Sequence, residues 1–480
     1  MQSRTTSTGT SLTIAGMQFL LLLDGAILNT SLPRMAASMA VPTLVLSSAI
    51  SAYLLAMAAT IPLSPWAAQR FGGRRVYLLA VTVFTLASVA CGLSSGLPYL
   101  LSARVVQGAA GGLMMAIGRI LALQKAPKSE LMSITALLVW PALLAPVVGP
   151  PLGGFVTTYF SWRWNFLMNL PLGAAGLWLI WRCIPVDDAA EQQRTRLDVA
   201  GALMTAGGLG GLLAGLEAVG RAATAGERQF AWLLIAAGAA LLVLDVRHLR
   251  RSAQPLISLA PLRVRTFAVS TLAAGTFSAM CLQATPYLLP LMYQLAFGLS
   301  AVAAGSLLLP YFLGNLLMKT ITTPILRRFG FRRVMLLDGV VAMLAIAACG
   351  LLGPGTSYVV LAALLVVAGA ARSMLLTAIN TLSLADIEIA ERGAASTLAA
   401  VSSQLAAVLG VALSTGLLLL IGQSEAAPSL RDFQWTFAAL GGIGLLSVAG
   451  YLRLHLDDGI EVSGHRPAVA TRSTGRGDPA

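Results

Sequence analysis

The sequence predicts an all-α integral membrane protein of fourteen transmembrane helices, grouped as six, two and six, with both termini in the cytoplasm. Three observations carry this. The 480 residues are 57% hydrophobic and 11% charged, with a mean hydropathy of +0.80. A soluble domain carries about a quarter charged residues, so this chain has too little polar surface to face water all round, and lipid must cover the rest. The apolar residues fall into runs of roughly 20, the length that crosses hydrocarbon as a helix. Two of the loops between those runs are near copies of each other.

Six runs come first, at 12–32, 46–67, 76–96, 98–122, 131–157 and 164–184. Two more follow at 197–219 and 229–247, and six close the chain at 267–293, 300–323, 334–353, 356–380, 394–421 and 433–454. The first run is too long for the apolar core of a signal peptide and contains Asp24 and Asn29, so it is expected to stay as a span. Residues 1–10 are Ser/Thr-rich, and 457–480 read as a disordered tail. With the N-terminus inside, about 23 Lys and Arg fall in cytoplasmic segments against about 5 outside, and that bias fixes the orientation.

Residues 69–79 read QRFGGRRVYLL and residues 327–337 read RRFGFRRVMLL, 258 positions later. Each follows the second span of its group. Two copies in one orientation imply parallel halves related by an axis along the membrane normal. The offset exceeds what six spans need, and the pair within 197–247 fills the excess. The organisation is therefore a six-helix bundle over 1–196, an inserted pair with a cytoplasmic linker over 197–265, a second bundle over 266–456, and the tail.

Several function classes are excluded. The net charge of +13 is spread in short clusters between apolar runs, as retained cytoplasmic basic residues would be, so nucleic acid is not an expected partner. Cys91, Cys183, Cys281 and Cys349 lie singly in apolar runs and read as small buried hydrophobes. There is no GxxxxGK[ST], HExxH or GxSxG motif, and only three histidines, so neither an enzyme nor a metal site is expected.

The motifs resemble those of the major facilitator superfamily, in particular its fourteen-helix branch of drug:proton antiporters. Pro65 to Val76 (PWAAQRFGGRRV) is similar to the superfamily's loop signature between helices 2 and 3. Leu23 to Pro33 resembles the helix-1 motif of the branch, and Arg104-Val105-Val106-Gln107-Gly108 its helix-4 motif. Ala145 to Gly154 (APVVGPPLGG) resembles the helix-5 motif of exporters, and Ser161 to Phe166, continuing to Asn169, Pro171 and Gly173, the stretch after it. The resemblance implies a major facilitator fold in the cell membrane. It also implies proton-coupled multidrug efflux of hydrophobic or amphiphilic solutes by alternating access, with the proton as coupling ion and no other cofactor. Two positions depart from the pattern. Gln69 replaces the usual acid of the loop signature and Pro65 its leading Gly, which removes any charge relay through that acid. The thirteenth span has no carboxylate, Gln404 being its most polar mid-span group, which weighs against divalent cations as substrates.

A charge at mid-membrane costs at least about 2.5–3.5 kcal/mol, so one that persists needs a partner or a wet cavity. Asp24 lies roughly 13 Å and Arg104 roughly 9 Å from the outer ends of their spans, at similar depth and of opposite sign. A carboxylate between desolvation and a cation can load and release a proton. Asp24 is therefore the expected proton site and Arg104 its modulator, with an inert buried ion pair as the bland alternative. Asn29, Gln107, Gln283, Arg372 and Gln404 are the expected polar lining. Lys319 reads as a snorkelling residue near an inner helix end. Shifting Asp24 and Arg104 by 258 positions lands on Leu282 and Ala362, so the second half lacks the pair.

Gly149-Pro150-Pro151 is expected to interrupt the fifth span. With Pro146 and Gly153 it offers either a close-packed outer gate or plain helix packing. Arg70, Gly72, Arg74 and Arg75, and their copies Arg328, Gly330, Arg332 and Arg333, are expected to anchor the loops at anionic lipid. The resemblance adds an inner latch between the halves. The expected partners are a small-molecule solute and membrane lipid, for a chain acting as a monomer. Export of a single dedicated metabolite, or a non-transporting sensor or scaffold, are the alternatives.

Overall fold

In lipid a single segment satisfies its backbone only as a helix. The computed structural model, described for residues 2–124, 131–186, 197–221, 224–252, 255–388, 391–422 and 428–463, is built of helices throughout those residues. The first bundle comprises α1 (Gln2–Ser38), α2 (Thr43–Phe71), α3 (Gly73–Gly92), α4 (Leu97–Gln124), α5 (Leu131–Tyr159) and α6 (Trp164–Cys183). The inserted pair is α7 (Val199–Arg221) and α8 (Ala225–Arg251). The second bundle comprises α9 (Arg265–Leu295), α10 (Ala301–Phe329), α11 (Phe331–Cys349), α12 (Tyr358–Ala385), α13 (Arg392–Ile421) and α14 (Leu430–Arg453). Among the described residues, twelve of these have a stretch long and apolar enough by itself to cross a membrane. The other two are α5, with 29 residues and four prolines, and α11, whose 19 residues include Arg332, Arg333 and Asp338.

The duplication seen in the loops is also present in three dimensions. Gly72 and Gly330 sit at φ 88° and 74°, a region that glycine enters without a Cβ penalty, and each joins the second helix of its half to the third. Arg74 Nη2 donates to Trp181 O and Arg332 Nη2 to Leu452 O, so each arginine ties its loop to the last helix of its own half. These bonds run within a half, whereas the expected latch would run between halves.

Three expectations need correction. α1 begins at Gln2, inside the segment read as a polar end. α5 is a continuous helix through Pro141, Pro146, Pro150 and Pro151, so the Gly-Pro-Pro stretch does not interrupt it. The break falls instead in α9, between its segments Arg265–Thr271 and Ala274–Leu295, where the Thr271 carbonyl accepts from the hydroxyls of Thr276 and Ser402. The segment after 456 is folded as far as Ser463, where Arg265 Nη2 holds Asp458 Oδ1 at 2.7 Å; residues 464–480 of the expected tail lie outside the described residues, as do Lys125, Lys128, Arg194 and Arg196.

The inserted pair forms a hairpin with two different faces. α7 lies against α2 of one half and α13 of the other, while α8 turns Phe230, Trp232, Leu233 and Val243 outward, where lipid would cover them. Asp245 stands near a helix end, where charge is cheap, yet it is buried and accepts from Thr205 Oγ1 at 2.6 Å. The hairpin is moored on the inner side, where Leu249 and Ile257 pack with Phe267, Ile387, Ala395 and Leu398.

Candidate transport and proton-coupling site

Asp24 comes from the middle of α1, and four other helices of the first half converge on it. Arg104 Nη1 donates to Asp24 Oδ2 at 3.0 Å, and both side chains are 1% exposed. Gln107 Nε2 and Asn169 Nδ2 both donate to Asp24 Oδ1, at 3.1 and 2.6 Å. Arg104 and Gln107 share a face because they are three apart on α4, and Arg104 Nη1 also reaches Gln107 Oε1 at 2.7 Å. The remaining guanidinium surface is covered by α2: Nε donates to Ala49 O at 3.3 Å, and Cζ stands 4.0 Å from the Tyr53 ring centroid. Asn169 is itself held by Ser88 Oγ of α3 at 2.9 Å. The carboxylate thus accepts three charge-assisted or amide hydrogen bonds, the arrangement that lets a buried ion pair persist.

The expected Asp24–Arg104 pair is therefore in contact, and Gln107 belongs to it. Asn169, Ser88 and Tyr53 complete the network and were not singled out from the sequence. Asn169 was visible only as part of the post-helix-5 motif, and Ser88 and Tyr53 carried no signal. Asn29 lies apart from the network: its Nδ2 donates to Pro286 O of α9 at 3.4 Å, across the boundary between the halves. Gln404 also spans the halves, against the sulfurs of Met57 and Met115.

In the second half, Gln283 and Arg372 come together, Nη2 to Oε1 at 2.5 Å. They join α9 to α12, the counterparts of α1 and α4. Lys319 stands about ten residues from the inner end of α10, roughly 15 Å, and its Nζ donates to Thr377 of α12. That direction is into the bundle, so the snorkelling reading is wrong.

The outer side is closed by contact between halves. A Cβ on Gly154 of α5 would lie 2.3 Å from Ala301 O, and one on Gly305 of α10 would lie 2.2 Å from Pro150 O. Backbones can approach this closely only where side chains are absent. Gly149 and Gly153 face the other way, against Ala26 and Ile27 of α1 in their own half. The cross-half seal therefore involves Gly154, one residue past the expected pair. Around it, Gln294 Nε2 donates to Thr30 O at 3.0 Å and Val302 N to Thr158 Oγ1 at 3.3 Å. Asn165 of the post-helix-5 motif braces the same end, donating to Ser31 Oγ and Thr157 Oγ1 at 2.6 and 2.9 Å. On the inner side a crevice runs between α9, α12 and α13, lined by Thr276, Ala279, Leu376, Asn380, Ser383 and Ser402 among others.

A family model described as Major Facilitator Superfamily matches residues 14–387 and, in a second match, 271–474. The chain is 33% identical over 445 residues to a Haemophilus influenzae protein provisionally named transport protein HsrA, covering 92% of this chain and 94% of that one. It is 32% identical over 452 residues to a Cronobacter sakazakii protein provisionally named multidrug resistance protein MdtD, covering 91% and 92%. Among solved structures, the D-xylose-proton symporter superposes with a TM-score of 0.66 at 15% identity, covering 94% of this chain and 98% of that one. The nucleoside transporter NupG gives 0.63 at 13%, covering 92% and 98%. At such identities these two speak for the fold alone.

Proposed function

We propose, since this chain belongs to the Major Facilitator Superfamily and is a transporter of the multi-pass inner-membrane kind, that it exports hydrophobic or amphiphilic small molecules in exchange for protons by alternating access. The observation that carries the reading is Asp24: the only acid within the spans of the first half, buried at mid-membrane and held by Arg104, Gln107 and Asn169. Protonating it removes the charge that neutralises Arg104. The guanidinium keeps Gln107 Oε1, Ala49 O and the Tyr53 ring, but α1 and α4 lose their ionic tie. A proton thus changes how strongly the helices facing the central chamber are held, which is what coupling requires. The sealed outer contact at Gly154 and Gly305, with the crevice on the inner side, fits a state that takes up solute from the cytoplasm. The name multidrug resistance protein, carried by a relative, supports the solute class.

The test is accumulation of a panel of toxic amphiphiles in everted vesicles, with and without an uncoupler. Uptake should collapse with the uncoupler and with Asp24→Asn. Full gradient-driven uptake by Asp24→Asn would refute the proton assignment.

A further inference from the structure

We propose that Arg372 and Lys319, with Gln283, form an anion-binding site in the second half, so that the exported solute carries a carboxylate or sulfonate on an apolar body. The proposal deepens the export reading and relies on it for the direction of transport. The binding itself stands on the geometry.

Both cations sit deep in the bilayer. Arg372 lies near the middle of α12, roughly 20 Å from either end, and Lys319 roughly 15 Å from the inner end of α10. That depth removes them from lipid headgroups, so the anion they await is a solute. Among the described residues, neither has a carboxylate within ion-pairing distance. Among the described residues their hydrogen-bond partners are neutral: Gln283 Oε1 for Arg372 and Thr377 Oγ1 for Lys319. Thr377 gives its own proton to Ser373 O at 2.6 Å, so it meets the ammonium purely as an acceptor. Arg372 Nε is buried and donates to nothing. The two charges are also near enough to repel each other.

The contrast with the first half is direct. There α1 supplies an acid to the arginine of α4, whereas here α9 supplies an amide to the arginine of α12, and a second cation is added. An arginine with a free donor edge matches a carboxylate or sulfonate. Ala279 and Leu376, each four residues from Gln283 and Arg372 on the same helix faces, line the inner crevice. Its walls mix Ile379, Ala399 and Ala406 with the hydroxyls of Ser383, Ser402 and Ser403.

The full chain in nanodiscs of zwitterionic lipid, at equilibrium and without a gradient, is titrated with two fluorescent probes. 1-Anilinonaphthalene-8-sulfonate is the anion, and N-phenyl-1-naphthylamine is nearly the same body without the sulfonate. The anion should bind at least tenfold more tightly. Arg372→Gln and Lys319→Gln should each weaken the anion at least tenfold and leave the neutral probe unchanged, which also reports that the variants are folded. On the unaltered protein, decanesulfonate should displace the anionic probe and decyltrimethylammonium should not. Equal affinity for the two probes, displacement by the ammonium compound, or variants that weaken both probes alike would overturn the site. Because no proton gradient is present, a failure of coupling at Asp24 leaves these readings untouched, so the two ideas fail separately.

Discussion

Replacing Asp24 by Asn isolates the energetics of the buried pair from its proposed role in transport. The substitution keeps the shape but strands a guanidinium that is 1% exposed on its side chain. Breaking a buried ion pair from one side costs about 3–5 kcal/mol. Arg104 would retain Gln107 Oε1 at 2.7 Å, Ala49 O at 3.3 Å and the Tyr53 face at 4.0 Å, and a desolvated cation–π contact contributes about 2 kcal/mol. The penalty should therefore fall at the low end, about 3 kcal/mol. One further bond is lost because Gln107 Nε2 and Asn169 Nδ2 both donate to Oδ1, and an amide cannot present an acceptor to both them and Arg104. Removing the cation as well, in Asp24→Asn/Arg104→Met, should recover about 1–3 kcal/mol relative to the sum of the single changes. Unfolding in nanodiscs measures the cycle, and everted vesicles measure transport. Both variants should lose gradient-driven uptake, although the double variant is the better folded of the two relative to additivity. Strict additivity would mean that the pair is not coupled.

Gly154→Ala should disfavour the outside-closed arrangement by about 1–3 kcal/mol through overpacking against Ala301 O. An Asn29→Cys reporter should then react faster with an impermeant maleimide added outside, by about 5–150-fold; Gly416→Ala, with open space around it, should leave the rate alone. Arg74→Gln should speed hydrogen exchange in the last turn of α6, and Arg332→Gln at the end of α14, each effect worth at most about 1 kcal/mol. Faster exchange in the opposite half as well would speak for the latch. On the cytoplasmic side, partial burial pushes Asp198 up, but hydrogen bonds from Gly201 N–H, His248 and Leu256 N–H, with the nearby imidazole, outweigh it and hold the carboxyl below its ordinary value of 3.8. A depressed carboxyl stabilises the fold above its unfolded pKa, and that stabilisation is lost as pH falls through the folded value. Asp198→Asn should therefore be less heat-stable than the parent near neutral pH, and the two should converge as the pH falls through the lowered carboxyl pKa.

The sequence made the fold legible because span length and arginine placement are imposed by the bilayer and leave few alternatives. Asp24 and Arg104 were legible for the same reason: a mid-membrane charge has to be answered, and these two had similar depth. Small polar residues escape that logic. A serine or threonine in a span can bond the carbonyl four residues back, as Thr85 does to Val81 O and Ser414 to Gly410 O, so nothing in the pattern sets Ser88 apart as the residue holding Asn169. The break in α9 falls at Leu272 and Ala273, is stabilised by a hydroxyl from α13 and sets Gly275 against the Ser270 carbonyl; one Gly in an apolar run, without Pro, did not mark it in the sequence. Four prolines in α5, by contrast, do not break it. Lys319 was misread because α10 runs on to Phe329, which leaves the ammonium too deep to reach water at the inner surface.

The halves copy each other's loops and helix order but not each other's electrostatics, and that difference sets a division of labour. In the first half a carboxylate and a guanidinium cancel, and in the proposed mechanism a proton unbalances them. In the second half Gln283 leaves Arg372 unbalanced from the start, so a solute charge is what balances it. Gln283→Glu would copy the first arrangement into the second and place a carboxylate about 2.5 Å from the Arg372 donor it already meets. If the labour is divided in this way, the variant should gain heat stability because a buried cation acquires its counter-ion. It should also lose affinity for the anionic probe at least tenfold, while its binding of the neutral probe stays the same. A variant that gained the counter-ion yet bound the anion as before would show that Arg372 is neutralised by something other than solute.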